Sequence, residues 1–152
     1  MTRRAAVRML DANANRALEG LRVCEEIIRF GCEAPSAFHR LRALRHALAR
    51  AMNGVPVSPR ERVGARESRR DIGRRAAASR VASLERLLLI NFQRAKEALR
   101  VLEECSRMVA PRHTAGFQRL RFRTYEVERE ILLGMAAVRH HRPGRSRRSR
   151  SR

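Results

Sequence analysis

Apolar residues recur along this chain at alternating steps of three and four in two long stretches. Residues with that spacing lie on one face of an α-helix. The two stretches consist of Leu10, Ala14, Ala17, Leu21, Cys24 and Ile28, and of Leu88, Phe92, Ala95, Leu99 and Leu102, with the polar Ser106 at the next position of the second stretch. After a break, each is followed by a second apolar-periodic segment, at about 36–52 and at about 114–138. The pattern predicts four helices arranged as two consecutive hairpins.

The second hairpin repeats the first. Residues 13–26 return as residues 91–104, and residues 38–42 return as residues 117–121. A duplicated core would need to repeat only its apolar positions, but an Asn, two Arg and three Glu recur as well. Because there are only two units, each longer than a solenoid repeat, we predict a duplicated hairpin and not an array. The repeated polar residues indicate that the duplication copies chemistry as well as packing.

The composition fits a single all-α domain. A chain of 152 residues with 43% hydrophobic residues can build one core of ordinary size. Only 4% of the residues are aromatic and none is Trp, which suits helices better than a β-sandwich. We predict a duplicated helical hairpin that forms a four-helix bundle with a long central loop. Repeat one spans about 7–52, the loop 53–79 and repeat two about 80–138.

The formal net charge of +20 favours partners that carry phosphate or carboxylate groups. The terminal run 139–152, rich in Arg and Ser, cannot bury apolar surface and is predicted to be disordered. Three cysteines without a CxxC pair indicate neither a disulfide framework nor a zinc site. No stretch reads as a signal peptide or a membrane span. Together these features predict a cytoplasmic protein without a membrane partner.

The repeated polar residues are predicted to form one site. In an up-down-up-down bundle the first and third helices run parallel, so Asn13 and Asn91 would lie at the same end. The loop 53–79 would fold over that end as a lid, since loops of this length in a compact domain are usually functional or disordered. Two helix N-termini together with Arg16 and Arg94 would favour an anion.

Glutamates accompany the repeated arginines. Glu19 and Glu97 each lie three residues after one repeated arginine and three before another, so each carboxylate is predicted to hold two guanidinium groups. The alternative is a set of intrahelical ion pairs on a solvated face. The recurring Asn favours a site, because mid-helix Asn adds little helix stability and is more often kept for a hydrogen bond. The glutamate pairs 25–26 and 103–104 are predicted to be surface charge rather than metal ligands.

These residues resemble the helical hydroxymethylpyrimidine-phosphate kinase domain that is often fused in front of thiamine-phosphate synthase. The resemblance covers about residues 7–133 and rests on segments in the same order: residues 8–23, Arg45-His46, residues 65–73, residues 91–104 and residues 120–128. It implies a phosphotransferase of thiamine biosynthesis that converts hydroxymethylpyrimidine phosphate to the diphosphate. ATP and magnesium would be its cofactors, and thiamine-phosphate synthase a partner.

The resemblance also implies roles for residues. The implied catalytic residues are Asp11, Arg16, Asp71 and Arg94, and the implied substrate-binding residues are Asn13, Glu19, Arg45, His46, Arg66, Gly73, Asn91 and Glu97. Within these sets, Arg16, Arg66 and Arg94 would neutralise phosphates. The two asparagines would fix the pyrimidine or a phosphate by hydrogen bonds. Asp11 and Asp71 would hold magnesium.

Two other classes of function stay open. The first is a non-catalytic partner in the thiamine pathway, because the family's acidic stretch after residue 73 is here short and basic. The second is a helical nucleic-acid-binding protein, favoured by the charge and by the Arg/Ser tail. Against the second, Arg and Glu alternate in both long helices, and no aromatic platform for stacking bases is present. No GxxxxGK[ST], GxGxxG or HExxH motif occurs.

Overall fold

A computed structural model describes residues 2–73 and 79–140 of the chain. These residues form five α-helices and no strand, so the all-α prediction is confirmed. The helices are α1 (Arg3–Glu26), α2 (Pro35–Gly54), α3 (Pro59–Ala65), α4 (Leu84–Val109) and α5 (Thr114–His140). A π-helical segment, Ile27–Cys32, continues α1, and 3-10 turns occupy Ser68–Arg70 and Pro111–His113. Within the described ranges, no helix is both long and apolar enough to cross a membrane.

The ends of the helices follow from local chemistry. The hydroxyls of Thr2, Ser58 and Ser83 each accept a hydrogen bond from the backbone N–H three residues later, at 3.3, 3.1 and 3.1 Å. Pro35 stands in the first turn of α2, where a missing N–H costs nothing. The first helical run ends at Glu33, whose φ of 49° is left-handed and lets the chain reverse into α2.

The core contains both predicted apolar stretches. All twelve of those residues, from Leu10 to Ile28 and from Leu88 to Ser106, are buried. Leu41, Leu44 and Leu48 of α2 complete the core, together with Phe117 of α5. Two of the three cysteines, Cys24 and Cys105, are buried as thiols in this core. Burial raises the pKa of the Cys24 thiol to about 12, so this residue packs as a small hydrophobe.

Helices α1 and α4 pack against each other in opposite directions. A Cβ atom placed on Gly20 would lie 2.9 Å from the carbonyl oxygen of Asn91. Further along α1, the Sγ atom of Cys24 lies 3.7 Å from the carbonyl oxygen of Leu88. Later residues of α1 thus meet earlier residues of α4. The predicted parallel arrangement of these two helices is wrong.

The directions of the helices explain the long connection between the hairpins. Because α2 and α4 are both antiparallel to α1, they run in the same direction and end together. A Cβ atom on Gly54 would lie 3.5 Å from the imidazole of His113, just beyond α4. Residues 55–83, here called the crossover segment, therefore lead from one end of the bundle to the other, as in bundles with a crossover connection. The prediction failed because it assumed strict alternation.

The predicted boundaries shift at three places. The crossover segment was predicted to be a loop at 53–79, but it contains α3 and the 3-10 turn Ser68–Arg70. Its capping residue Ser58 and its apolar residue Ala65, which is 4% exposed, give this short helix a start and a buried face. Residues 139 and 140 of the predicted tail belong to α5. Residues 74–78 and 141–152 lie outside the described part of the chain.

Candidate functional site

A polar groove lies between the midpoints of α1 and α4. It has a volume of about 450 Å³. Its walls are Asn13, Arg16, Glu19, Gly20, Asn91, Arg94, Glu97, Ala98 and Val101. The predicted Asn, Arg and Glu residues of both copies therefore meet in one place, although the helices run in opposite directions. The groove is not at the helix N-termini, so the predicted contribution of two helix dipoles to anion binding is wrong.

Small residues allow the two helices to approach closely at the groove. Ala17 and Ala95 are both fully buried at the crossing. Gly20 is packed so closely that a Cβ atom there would lie 2.9 Å from the backbone oxygen of Asn91 and 3.5 Å from the Cβ atom of Ala95. The equivalent residue in the second copy is Ala98, which is 3% exposed. The side chains that flank this contact form the polar walls.

The two asparagines have equivalent environments. Asn13 donates a hydrogen bond from Nδ2 to the carbonyl oxygen of Met9, and Asn91 donates one to Leu87, both at 2.8 Å. Their side chains are nearly buried, with Asn13 7% and Asn91 4% exposed. These bonds to the preceding helical turn fix each amide, because a buried amide needs partners. Each amide oxygen is then available to accept a hydrogen bond from a ligand in the groove.

The charged residues of the groove are largely free of protein partners. To the described part of the chain, Arg16 donates a single long hydrogen bond, of 3.5 Å to Oδ1 of Asn13. Among the residues that the structure describes, neither Arg94 nor Glu19 forms a hydrogen bond or an ion pair, while Glu97 accepts a hydrogen bond from Gln93 at 2.8 Å. Two guanidinium groups in one small groove, with no carboxylate of the described residues bound to either, form a site suited to phosphate.

Glu19 and Glu97 do not hold the arginines that follow them, which corrects the sequence prediction. Arg22 instead pairs with Glu25 at 2.9 Å and with Glu26. Its equivalent Arg100 pairs with Glu103 at 3.4 Å and with the next glutamate at 2.9 Å. These arginines therefore serve the glutamates on the next helical turn. The carboxylates of Glu19 and Glu97 remain in the walls of the groove.

The predicted site residues of the crossover segment lie on the N-terminal half of α1. Arg66 forms a two-bond ion pair with Asp11, at 2.7 and 3.2 Å. The hydrogen bond from Arg66 to Asp11 raises the pKa of this guanidinium, which stays charged. Arg8 donates a hydrogen bond to the backbone oxygen of Glu67 at 3.1 Å and lies 3.7 Å from the carboxylate of Asp71. These contacts fasten residues 66–71 along α1.

This second cluster does not line the groove. Asp71 accepts a hydrogen bond from the backbone N–H of Gly73 at 2.8 Å, which closes a turn at the end of the described segment. Asp11, Arg66, Asp71 and Gly73 are thus brought together with one another, beside the groove and not in its wall. The described part of the segment is not a lid over the groove. No group of three or more His, Cys, Asp and Glu side chains that could hold a metal is found in the described ranges.

Arg45 and His46 lie elsewhere. Arg45 of α2 donates two hydrogen bonds to Glu25 of α1, at 2.6 and 3.3 Å, and belongs to the packing of the first hairpin. His46 is exposed on α2 and takes no part in the groove. The structure therefore does not bring these two predicted substrate-binding residues together with the paired Asn and Arg.

Two buried glutamates were missed by sequence reasoning. Glu25 and Glu103, predicted to be surface charge, are only 1% and 3% exposed. Glu103 accepts hydrogen bonds from Arg121 of α5 at 2.9 and 3.1 Å, as Glu25 does from Arg45. Burial alone would raise the pKa of both carboxyls, but these arginine contacts outweigh it and lower their pKa. The signal that could have identified them is the recurrence of both glutamates beside the two apolar stretches.

Comparisons with known proteins support a family of the thiamine pathway. The ThiD2 family model matches residues 8–130. A thiamine-phosphate synthase of Synechocystis sp. is 37% identical over 131 residues, which cover 84% of this chain and 36% of that protein. Thiamine-phosphate synthases of Rhodopirellula baltica and Nostoc punctiforme are 36% and 35% identical, over 89% and 82% of this chain.

The chain spans about a third of the length of these curated relatives, 36% of the first two and 35% of the third. No solved structure matches it significantly. The family match, in contrast, extends from α1 into α5 and includes the groove, both hairpins and the crossover segment. The chain therefore belongs to the ThiD2 family.

Proposed function

We propose that this protein is a phosphotransferase of thiamine biosynthesis, which uses ATP to convert hydroxymethylpyrimidine phosphate to the diphosphate. The observation that carries the proposal is the convergence of Asn13, Arg16, Asn91 and Arg94 in one groove of about 450 Å³. The names of the relatives support the pathway, since thiamine-phosphate synthases are similar to this chain over most of its length. Such a kinase would act in the cytoplasm, beside thiamine-phosphate synthase.

The groove offers what this substrate needs. Its pyrimidine carries an amino group, which donates hydrogen bonds, and the buried amide oxygens of Asn13 and Asn91 can accept them. Its phosphate is an anion, which the guanidinium groups of Arg16 and Arg94 in the groove can neutralise. Glu19 and Glu97 line the same groove and would select against a ligand with excess negative charge. The substrate would thus be held at both ends.

The reaction follows from two phosphates held in line. An oxygen of the pyrimidine phosphate attacks the γ-phosphorus of ATP, a new P–O bond forms, and the bond between that phosphorus and the β–γ bridging oxygen breaks. ADP leaves with the electron pair of the broken bond. Because phosphoryl transfer depends mainly on positioning and charge neutralisation, two arginines in a confined groove supply the main requirements.

Magnesium would enter as the usual counter-ion of ATP. The predicted ligands Asp11 and Asp71 do not fit a resident magnesium site, because Arg66 holds the first at 2.7 Å and the second caps a turn near Arg8. Both lie outside the groove. No step of the proposed reaction is therefore assigned to a protein-bound metal, and the proposed work of the chain is binding, orientation and charge neutralisation.

The test is product formation by the full chain. Purified protein is mixed with hydroxymethylpyrimidine phosphate and magnesium ATP, and the diphosphate is followed by ³¹P nuclear magnetic resonance. We expect one diphosphate and one ADP for each ATP consumed. Absence of product, with an active family member in a parallel reaction, would contradict the kinase proposal. In that case stimulation of a thiamine-phosphate synthase by this chain, without ATP consumption, would support the non-catalytic partner.

A further inference from the structure

A second cavity adjoins the groove on the side of α5. It has a volume of about 380 Å³ and is lined by Arg86, Leu89, Ile90, Gln93, Arg94 and Glu128. Five of these residues belong to α4, at spacings of three and four that place them on one face of the helix. Arg94 lines both the groove and this lateral cavity. The two spaces therefore share one charged wall.

The walls of the lateral cavity combine apolar and cationic groups. Leu89 and Ile90 are half-buried and offer an apolar surface. Among the described residues, the guanidinium groups of Arg86 and Arg94 have no hydrogen-bond or ion-pair partner. The one acidic residue in the wall, Glu128, is neutralised by Lys96 at 2.6 Å. The cavity thus suits a ligand with a flat apolar body and a strongly anionic end.

The duplication shows that this place is closed in the first copy. Arg86 and Leu89 are the equivalents of Arg8 and Asp11. In the first copy, Arg8 binds the backbone oxygen of Glu67, and Asp11 binds Arg66, so the chain itself covers the surface. Leu89 cannot form the corresponding ion pair with an arginine. An internal arginine fills the site in one repeat, whereas the other repeat has a cavity with two arginines whose guanidinium groups bind no described residue.

We propose that the lateral cavity binds the nucleotide that donates the phosphate, with its base against Leu89 and Ile90 and its phosphates between Arg86 and Arg94. The groove then takes the pyrimidine phosphate, and Arg94 lies between the two ligands. This inference rests on the proposed function. It explains why a nearly symmetric pair of helices can distinguish two phosphorylated substrates: one repeat is open beside the groove and the other is closed by residues 66–71.

The inference is tested by measuring the two ligands separately. Isothermal titration calorimetry gives the Kd of the full chain for a non-hydrolysable ATP analogue with magnesium, and the Kd for hydroxymethylpyrimidine phosphate. Arg86→Ala is expected to raise the Kd of the nucleotide about tenfold or more, as loss of a charge-assisted contact does, and to leave that of the pyrimidine phosphate unchanged. Asn13→Ala is expected to do the reverse. Arg94→Ala should weaken both.

Two further variants keep the test decisive. Ile90→Gln should weaken the nucleotide through the loss of apolar contact, without a change of charge. Arg119→Ala, which removes an exposed arginine of α5 outside both cavities, is the matched control and should change neither Kd. If Arg86→Ala and Ile90→Gln both bind the nucleotide like the parent and turnover persists, the kinase proposal stands and the lateral cavity is not its nucleotide site. If the parent neither binds the nucleotide nor forms product, both proposals fail.

Discussion

Gly20 of α1 lies against the backbone of Asn91 in α4 at a distance that leaves no room for a side chain. A Cβ atom on Gly20 would be 2.9 Å from the carbonyl oxygen of Asn91, and that oxygen belongs to backbone that cannot turn aside. The close contact holds the two walls of the groove together. It also links the packing of the core to the spacing of the functional residues.

Replacement of Gly20 by Ala is therefore expected to destabilise the protein, although Ala is the better helix former. Overpacking at a helix contact costs about 1–3 kcal/mol, and the change should lower the free energy of unfolding by that amount in urea denaturation. The separation of the helices should also raise the KM for the pyrimidine phosphate. The control is Gly134→Ala in α5, where, among the described residues, no atom outside the local helix backbone lies within 4 Å of the new Cβ.

Gly134→Ala is expected to leave the protein as stable as the parent or to stabilise it by up to about 1 kcal/mol, because Ala replaces Gly in a helix. If both variants show the same change in stability, the Gly20 contact does not limit the approach of the helices.

Loss of Arg94 or Asn13 should impair turnover without unfolding the protein. Arg94→Ala removes a guanidinium that the described protein leaves unpaired, so its loss is felt only when an anion is bound. Removal of one group that stabilises transition-state charge typically lowers kcat by about 100- to 1000-fold, and we expect a fall of that order. Asn13→Ala should mainly raise KM. Initial rates of ADP release measure both effects.

Arg119→Ala is again the matched control, and its rates should equal those of the parent. Circular dichroism at equal concentrations establishes that each variant is folded. Unchanged turnover in both Arg94→Ala and Asn13→Ala would remove the groove from consideration as the active site.

The sequence predicts the apolar faces of the two long helices and the convergence of the repeated Asn and Arg residues. It does not predict the directions of the helices. Apolar residues spaced by three and four identify one face of a helix, and every residue of the two predicted stretches is buried. That spacing is the same when a helix is reversed, so it could not show that α4 opposes α1. The two asparagines still meet because Asn13 and Asn91 lie near the crossing of the two helices, where reversing one helix keeps them close.

The ion pairs of the buried residues Glu25 and Glu103 were not predicted, for a different reason. Glu25 and Glu103 are equivalent in the duplication, but their partners are not: Arg45 corresponds to Thr124, and Arg121 corresponds to Arg42. Each hairpin supplies an arginine from a different turn of its second helix. Comparison of the repeats therefore gave no matching pair, and a glutamate without a visible partner resembles surface charge. The partner arginines, Arg45 and Arg121, are identified only by the packing of the helices.

These pairs predict a loss of stability in acid. The native pKa of Glu25 and that of Glu103 both lie below the ordinary value of 4.5, so the unfolded chain binds more protons than the native one below that pH. Their contribution to the free energy of unfolding is complete above pH 4.5 and decreases as the pH falls through the lowered native pKa. Urea denaturation at several pH values from 7 to 3 measures the decrease.

Glu103→Gln should lower the free energy of unfolding at pH 7 by about 3–5 kcal/mol, since the Arg121 side chain, which is only 13% exposed, loses its counter-charge. The acid dependence should also become shallower. Glu104→Gln changes the neighbouring exposed residue in the same way and should have little effect. Equal effects of the two substitutions would mean that the burial of Glu103 does not matter.

The ion pair between Asp11 and Arg66 is expected to control local opening of the crossover segment. Arg66 is half exposed, so the pair adds little to global stability, about 1 kcal/mol or less. Its two hydrogen bonds nevertheless attach residues 66–71 to α1. Asp11→Asn should speed hydrogen exchange in residues 64–73 while exchange in α4 stays unchanged, as measured by mass spectrometry.

The control for this pair is Arg3→Gln, which removes an exposed ion pair with Glu61 at 3.2 Å in the same region. It should alter exchange less, because that contact has one hydrogen-bonding distance and both partners are solvated. If Asp11→Asn leaves exchange in residues 64–73 at the rate of the parent, the segment is held by its other contacts to α1.

Removal of residues 141–152 should separate catalysis from nonspecific binding to nucleic acid. The removed segment carries six arginines, whereas Arg22 and Arg100 on the long helices are already paired with glutamates. Each phosphate contact adds about 0.9 to the slope of log K against log salt concentration for duplex DNA. Truncation should therefore flatten that slope in fluorescence anisotropy and leave the rate of diphosphate formation unchanged. If the slope of log K against log salt concentration is unchanged by truncation and kinase activity is absent, the result would instead favour a nucleic-acid-binding role for the helical domain.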